Sequence, residues 1–185
     1  LIDAKPHIGT DRLRTVVPAL RREITRLGGE VRFETKLAGV EIANGALSAV
    51  TLVHGGEPER VECGALVLAI GQGARDTVRM LAGAGVAVEK KPFAAGVRVE
   101  HPQPLIDRAQ YGDFAGHPAL GAAEYRLTGK SGARGVYTFC MCPGGAVIAS
   151  ASGPEQVVTN GMSNCARDGI NANAAVVVQV NPEDM

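Results

Sequence analysis

Cys140 and Cys142 stand two residues apart. On an extended strand that spacing turns both side chains to one face, and a neighbouring thiol pair can be redox-active. The spacing is not the Cys-x-x-Cys of disulfide oxidoreductases. Together with Cys63 and Cys165 it fits no zinc motif and no secreted disulfide framework, so no metal site is expected. Two inert, buried cysteines are the competing reading. A second candidate is His7, which follows Lys5 and precedes Gly9 just ahead of a predicted helix. An imidazole there could move a proton, and free helix N–H groups favour an anion; a surface loop histidine is the alternative. A third is Gly71, which closes the apolar run Ala65-Leu66-Val67-Leu68-Ala69-Ile70. Such a run reads as a strand buried on both faces. In open α/β sheets ligands collect beyond the carboxyl ends of strands, where a glycine admits a close approach. An ordinary strand end is the competing reading for Ala69, Ile70 and Gly71. Arg75 and Asp76 can pair at a helix start, and Arg98 and His101 line a substrate pocket or sit on the surface.

The elements that must position these residues fall into two halves. A helix is expected from about Asp11 to Leu27, with Leu13, Val16, Val17, Leu20, Ile24 and Leu27 as one buried stripe. Thr10 or Asp11 caps it and Gly28-Gly29 stops it. Pro18 either kinks this helix or lies in its first regular turn. Glu30–Lys36 alternates as a strand. Val40 and Ile42 continue to Asn44-Gly45, the strongest short hairpin signal. Leu47–Val53 returns, His54-Gly55-Gly56 turns again, and Arg60–Cys63 forms a third strand before the Gly71 run. Ala74–Ala84 is a helix. Beyond about residue 90, strands dominate: Ala94–Glu100, Ala123–Leu127, Val136–Cys140, Ala146–Ser150 and Ala174–Val180. A short helix is expected at Pro104–Tyr111, and a basic exposed turn at Gly129–Arg134. The expected division is 1–90 and 91–185.

Composition narrows the function classes. Of 185 residues, 45% are hydrophobic and 24 are glycine, which indicates a globular chain with many tight turns. Nineteen basic residues balance nineteen acidic ones and there is no Trp. That argues against nucleic acid as a partner. No apolar stretch reaches the roughly 20 residues of a membrane span, and cysteine usage suits a reducing cytoplasm. The chain opens in mid-motif at Leu1-Ile2-Asp3 without an initiator Met, which reads as a piece of something longer.

A helix, a strand, a meander and a glycine-ended strand is also the order inside split dinucleotide-binding domains of FAD flavoproteins. Ala69-Ile70-Gly71 resembles the alanine-x-glycine ending that touches FAD in the glutathione-reductase-like superfamily. Longer strings are more specific. They are Asp3-Ala4-Lys5-Pro6-His7-Ile8-Gly9-Thr10-Asp11, Lys91-Pro92-Phe93-Ala94-Ala95-Gly96-Val97-Arg98-Val99-Glu100-His101-Pro102, Val136-Tyr137-Thr138-Phe139-Cys140-Met141-Cys142-Pro143-Gly144-Gly145 and Thr159-Asn160-Gly161-Met162-Ser163. They resemble a family of bacterial FAD-dependent dehydrogenases whose substrates are mostly unassigned.

The resemblance implies a mixed α/β fold: part of a split, Rossmann-like FAD domain with a β-meander, then a mainly β substrate domain. It implies FAD contacts at Leu37, Ala69, Ile70, Gly71, Gly144 and Gly145, a flavin near Cys140 and Cys142, and a small-molecule substrate. NAD(P)H is an admissible reductant. The family's opening Gly-x-Gly-x-x-Gly turn, which seats the pyrophosphate, has no counterpart here. The chain therefore reads as an internal fragment, inactive alone, with surfaces left open to self-association. A non-catalytic α+β binding or structural module is the alternative.

Overall fold

The computed structural model describes residues 7–151, 153 and 155–185. By contact, residues up to Glu23 group with Lys91–Met185, and Ile24–Lys90 form a second unit. The fold is mixed α/β with three antiparallel sheets among the described residues.

Helix α1 spans Leu13–Arg26, after a 3-10 turn at Thr10–Arg12. Its end is dictated by glycine. Gly28 takes φ 88° and donates to the Thr25 carbonyl at 3.1 Å, and Gly29 donates to Ile24 at 2.9 Å. That paired closure satisfies two orphan carbonyls. Pro18 lies inside the helix and cannot donate to the Arg14 carbonyl. The expected buried stripe is corrected: no residue of α1 is buried, and Leu13, Val17, Leu20 and Ile24 are exposed. Neither Thr10 nor Asp11 caps the start, which falls at Gly9.

In the Ile24–Lys90 unit, β1 (Thr35–Ala43), β2 (Ala46–His54) and β3 (Glu57–Glu62) form a meander in that order. Asn44 and Gly45 both take positive φ, 53° and 76°, in the two-residue loop between β1 and β2. That backbone matches the strand twist and is the reason for Asn-Gly here. Ala49 and Val50 of β2 are buried. Helix α2 (Arg75–Gly83) packs on β1 and buries Thr77 and Leu81.

Two expectations fail in this unit. Glu30–Lys36 is not a separate strand; the ladder starts at Thr35, Glu34 has φ 53°, and Phe33 is 63% exposed. Ala65–Ile70 is no strand and is not buried; Val67 is 89% exposed. Apolar residues of strand-like composition become a strand only against a partner's N–H and C=O groups. Among the described residues Glu30–Glu34 and Ala65–Ile70 have no such partner.

In the other unit, β4 (Phe93–Pro102), β5 (Thr128–Ser131), β6 (Arg134–Cys142) and β9 (Asn171–Val180) form an antiparallel sheet ordered β4-β9-β6-β5. β7 (Gly145–Ala149) pairs with β8 (Thr159–Ser163), and α3 spans Gln103–Tyr111. β9 is central, with Ala172, Asn173, Ala174 and Val177 buried. Gly96 is needed on β4 because a Cβ there would run into the Val176 carbonyl. The strand expected at Ala123–Leu127 forms instead at Thr128–Ser131, where an exposed basic turn was expected. The β6 edge supplies its hydrogen bonds, which overrides its polar composition.

Candidate functional site

The connection from β6 to β7 is Pro143-Gly144, and it is built by crossing backbones. Gly144 has φ 54°, and a Cβ there would collide with the Arg167 carbonyl. A Cβ on Gly145 would meet the Met162 carbonyl, and one on Gly169 the Gly144 carbonyl. Gly169 N–H donates to that Gly144 carbonyl at 3.2 Å. Only residues without a Cβ allow this approach.

Gln103, at the start of α3, clasps the turn. Its Oε1 accepts from Gly144 N at 2.8 Å. Its Nε2 donates to the Asp107 carboxylate at 2.7 Å and to the Ala123 carbonyl at 3.0 Å. Asp107 in turn accepts from Ala123 N at 2.8 Å. Gln103 is buried with both ends of its amide satisfied, as a buried polar group requires.

The segment before α1 reaches the loop that follows β8. Thr10 Oγ1 donates to Met162 Sδ at 3.2 Å, and Asp11 accepts from Cys165 N at 2.7 Å. The His7 Nε2 and the Asn164 carbonyl are 2.9 Å apart, which sets Nε2 as the donor. A Cβ on Gly9 would meet the Cys165 amide. His7 is exposed and anchored to backbone. Lys5 and the Asp3–Pro6 part of the motif lie outside the described residues.

Between these segments opens a cleft of about 470 Å³. Gly144 and Gly145 form its floor, with Ala146, Ile148, Met162 and Ile170 as apolar wall. Thr10, Asn164 and Asn171 add polar groups. A mostly apolar concavity with few polar groups is the usual form of a small-molecule site.

Behind this turn lies a polar cluster on β4, β6, β8 and β9. Four residues of β6, Phe139 to Cys142, oppose three of β9, Ala175 to Asn173. The extra residue makes a bulge, and Cys140 within it takes φ 48°. Arg98 Nη1 donates to the Cys140 carbonyl at 3.1 Å and to Asn173 Oδ1 at 2.7 Å. Asn173 is fully buried. Arg98 Nε and Asn173 Nδ2 are buried donors with no hydrogen-bond acceptor. Cys140 is exposed and Cys142 half-buried. Burial pushes the Cys142 thiol up, and the adjacent Cys140 adds to that, while Arg98 pulls it down. A Cβ on Gly161 would strike Asn173 Oδ1, Arg98 Nη1 and Cys142 Sγ, so glycine makes room for the cluster. His101 is half-buried and stacks at 5.5 Å on Tyr125, whose hydroxyl burial pushes up.

The remaining expected site residues belong to the Ile24–Lys90 unit. Leu37 lines a separate cleft of about 320 Å³ with Lys36, Val53, Asp76 and Met80. Asp76 pairs with Lys36 at 2.5 Å, and the ammonium holds its carboxyl below the usual range. Ala69 and Ile70 are exposed, and Gly71 has φ 67° with open space where a Cβ would stand. The structure thus brings Thr10, Gly144 and Gly145 to one cleft and groups Cys140 with Cys142, Arg98 and Asn173. Gln103, Asn173, Gly161 and Gly169 were not singled out from sequence. Gly161 was signalled by the Thr159–Ser163 string, and Gly169 by glycine content alone.

The profile of a family described as "FAD-dependent protein, C-terminal domain-like" matches residues 92–185. That is more than half of the chain. The chain belongs to this family. The match contains the thiol cluster and every lining residue of the Gly144–Gly145 cleft except Thr10. An uncharacterised protein of Clostridium beijerinckii is 52% identical over 184 residues, which is 98% of this chain and 34% of that protein. The chain therefore spans about a third of the length of the relative it matches. No helix among the described residues is long and apolar enough to cross a membrane.

Proposed function

We propose that the intact protein is an FAD-dependent oxidoreductase acting on a small-molecule substrate, and that this chain supplies the Gly144–Gly145 wall of its cofactor site. Membership of an FAD-dependent family over the very residues that build the cleft carries this reading. The residues present suit the ring portion of the cofactor. Ile148, Met162 and Ile170 offer flat apolar contact, and Thr10, Asn164 and Asn171 offer hydrogen bonds at the rim. Leu37 and Ala69–Gly71 are the further contacts that the flavoprotein resemblance assigns, in a split Rossmann-like domain. The bound flavin supplies hydride chemistry. The chain's residues orient it, and the crossed glycines hold the wall rigid.

A visible absorption spectrum of the intact protein tests this, followed by denaturation to identify any flavin released. The expected result is FAD, with Ala146→Trp losing it while the far-UV spectrum and melting stay unchanged. Ala146 is exposed on the wall, so the ring has room without refolding the strand. A colourless intact protein overturns the reading in favour of the non-catalytic module. An Ala146→Trp protein with full flavin moves the site elsewhere.

A further inference from the structure

We propose that Cys140 and Cys142 form a reversible dithiol–disulfide pair that reacts with low-molecular-mass disulfides, with Arg98 as the positioning residue for the Cys142 sulfur. Four observations place this chemistry here. First, the bulge between Phe139 and Cys142 interrupts the regular ladder in the segment that carries both cysteines. A regular strand holds residues i and i+2 about 6.6–6.8 Å apart, the upper edge of the Cα separation a disulfide spans. Cys142 Sγ already reaches back to donate to the Cys140 carbonyl at 3.5 Å. Second, the pair is asymmetric: Cys140 is exposed to an incoming reagent, and Cys142 sits half-buried behind it. Third, the Arg98 guanidinium and Cys142 Sγ crowd the same space above Gly161, where its charge opposes the burial that raises the thiol. The Arg98 Nε has no hydrogen-bond acceptor among the described residues. Fourth, a non-glycine residue held at positive φ is uncommon strain of the kind that collects at functional sites.

The exchange balances without any other reagent. The Cys140 thiolate attacks one sulfur of the external disulfide; a Cys140–S bond forms, the external S–S bond breaks, and one thiol leaves with the Cys140 proton. The Cys142 thiolate, held by Arg98, then attacks the Cys140 sulfur. The Cys140–Cys142 bond forms, the mixed disulfide breaks, and the second thiol leaves with the Cys142 proton. Two protein thiols are oxidised and one disulfide is reduced to two thiols. The reverse exchange restores the dithiol. The proposal is independent of the flavin reading.

The test equilibrates the full chain in glutathione buffers of graded oxidation, traps free thiols with iodoacetamide, and reads intact mass. Cyanogen bromide cleaves after Met141, between the two cysteines, so a Cys140–Cys142 bond keeps the two fragments joined until reduction. The expected result is joined fragments, with Cys63 and Cys165 still alkylated. Cys142→Ser should stop at a stable Cys140–glutathione adduct, and Cys140→Ser should give no joined fragments. Arg98→Gln should lengthen the lifetime of the mixed disulfide several-fold, and Arg98→Lys should restore most of the rate. Free, alkylatable Cys140 and Cys142 in the most oxidising buffer overturn the pair. An unchanged lifetime in a folded Arg98→Gln protein overturns the role of Arg98.

Discussion

Ala65–Ile70 and Asn171–Val180 are both apolar runs of strand composition, yet their fates are opposite. β9 lies between β4 and β6, so both its edges are hydrogen-bonded and Ala172 and Ala174 vanish from the surface. Ala65–Ile70 has no paired neighbour among the described residues and leaves Leu66, Val67, Leu68 and Ile70 in solvent. Burial is therefore a property of the pairing, not of the run. The same contrast separates two glycines at positive φ. Gly144 is pressed between backbones, whereas Gly71 turns in open space.

Substitution at the two glycines should separate them most widely. Gly144→Val adds left-handed strain and a collision with the fixed Arg167 backbone, a combined cost of about 4 kcal/mol. The Lys91–Met185 unit should lose its cooperative denaturant transition. Gly71→Val meets the strain alone, and its transition should move by about 1–2 kcal/mol. Equal effects would mean that the crossing at Gly144 is not what fixes that turn. A smaller contrast comes from lysine placed in each apolar run. Val177→Lys puts an unpaired charge into the centre of the sheet and should cost about 3 kcal/mol in urea unfolding. Val67→Lys should stay within about 0.5 kcal/mol. It should also reduce self-association in sedimentation if the exposed run is sticky.

The smallest effect is electrostatic. Arg134 donates to Asp184 at 2.7 Å and lowers its carboxyl from 3.8 to about 2. A carboxyl depressed on folding contributes stability above its unfolded value and loses it as pH falls through the folded one. The melting difference between the wild type and Asp184→Asn should therefore be present at neutral pH, shrink below about pH 4, and vanish near pH 2. A difference that persists in stronger acid would assign the effect to packing.

These contrasts also mark how far the sequence could be read. Asn44-Gly45 announced its hairpin because the turn's dihedrals select those residues locally, and Gly28-Gly29 announced the end of α1 for the same reason. Cys140 and Cys142 were visible as a pair, but Arg98 and Asn173 beside them were not, since 42 residues separate Arg98 from Cys140. Gln103 carries no local mark of its clasp on Gly144, 41 residues away. Thr128–Ser131 shows the converse. Only Thr128 in Thr-Gly-Lys-Ser favours a strand, and the neighbouring edge imposes one. Periodicity reports what a residue can bury; it does not report which neighbour arrives.

Asn173 has a consequence for fidelity of assembly. β9 reads Asn-Ala-Asn-Ala-Ala-Val-Val-Val-Gln-Val, a string so self-similar that apolar contacts alone would tolerate sliding. A slip of one residue turns an alanine toward Arg98 and strands its guanidinium. A slip of two brings Asn171 there but strips Glu100 of the amide it now holds at 2.7 Å. The two asparagines thus act as a two-tooth key, and misaligned sheets are rejected while the chain is still finding its partners.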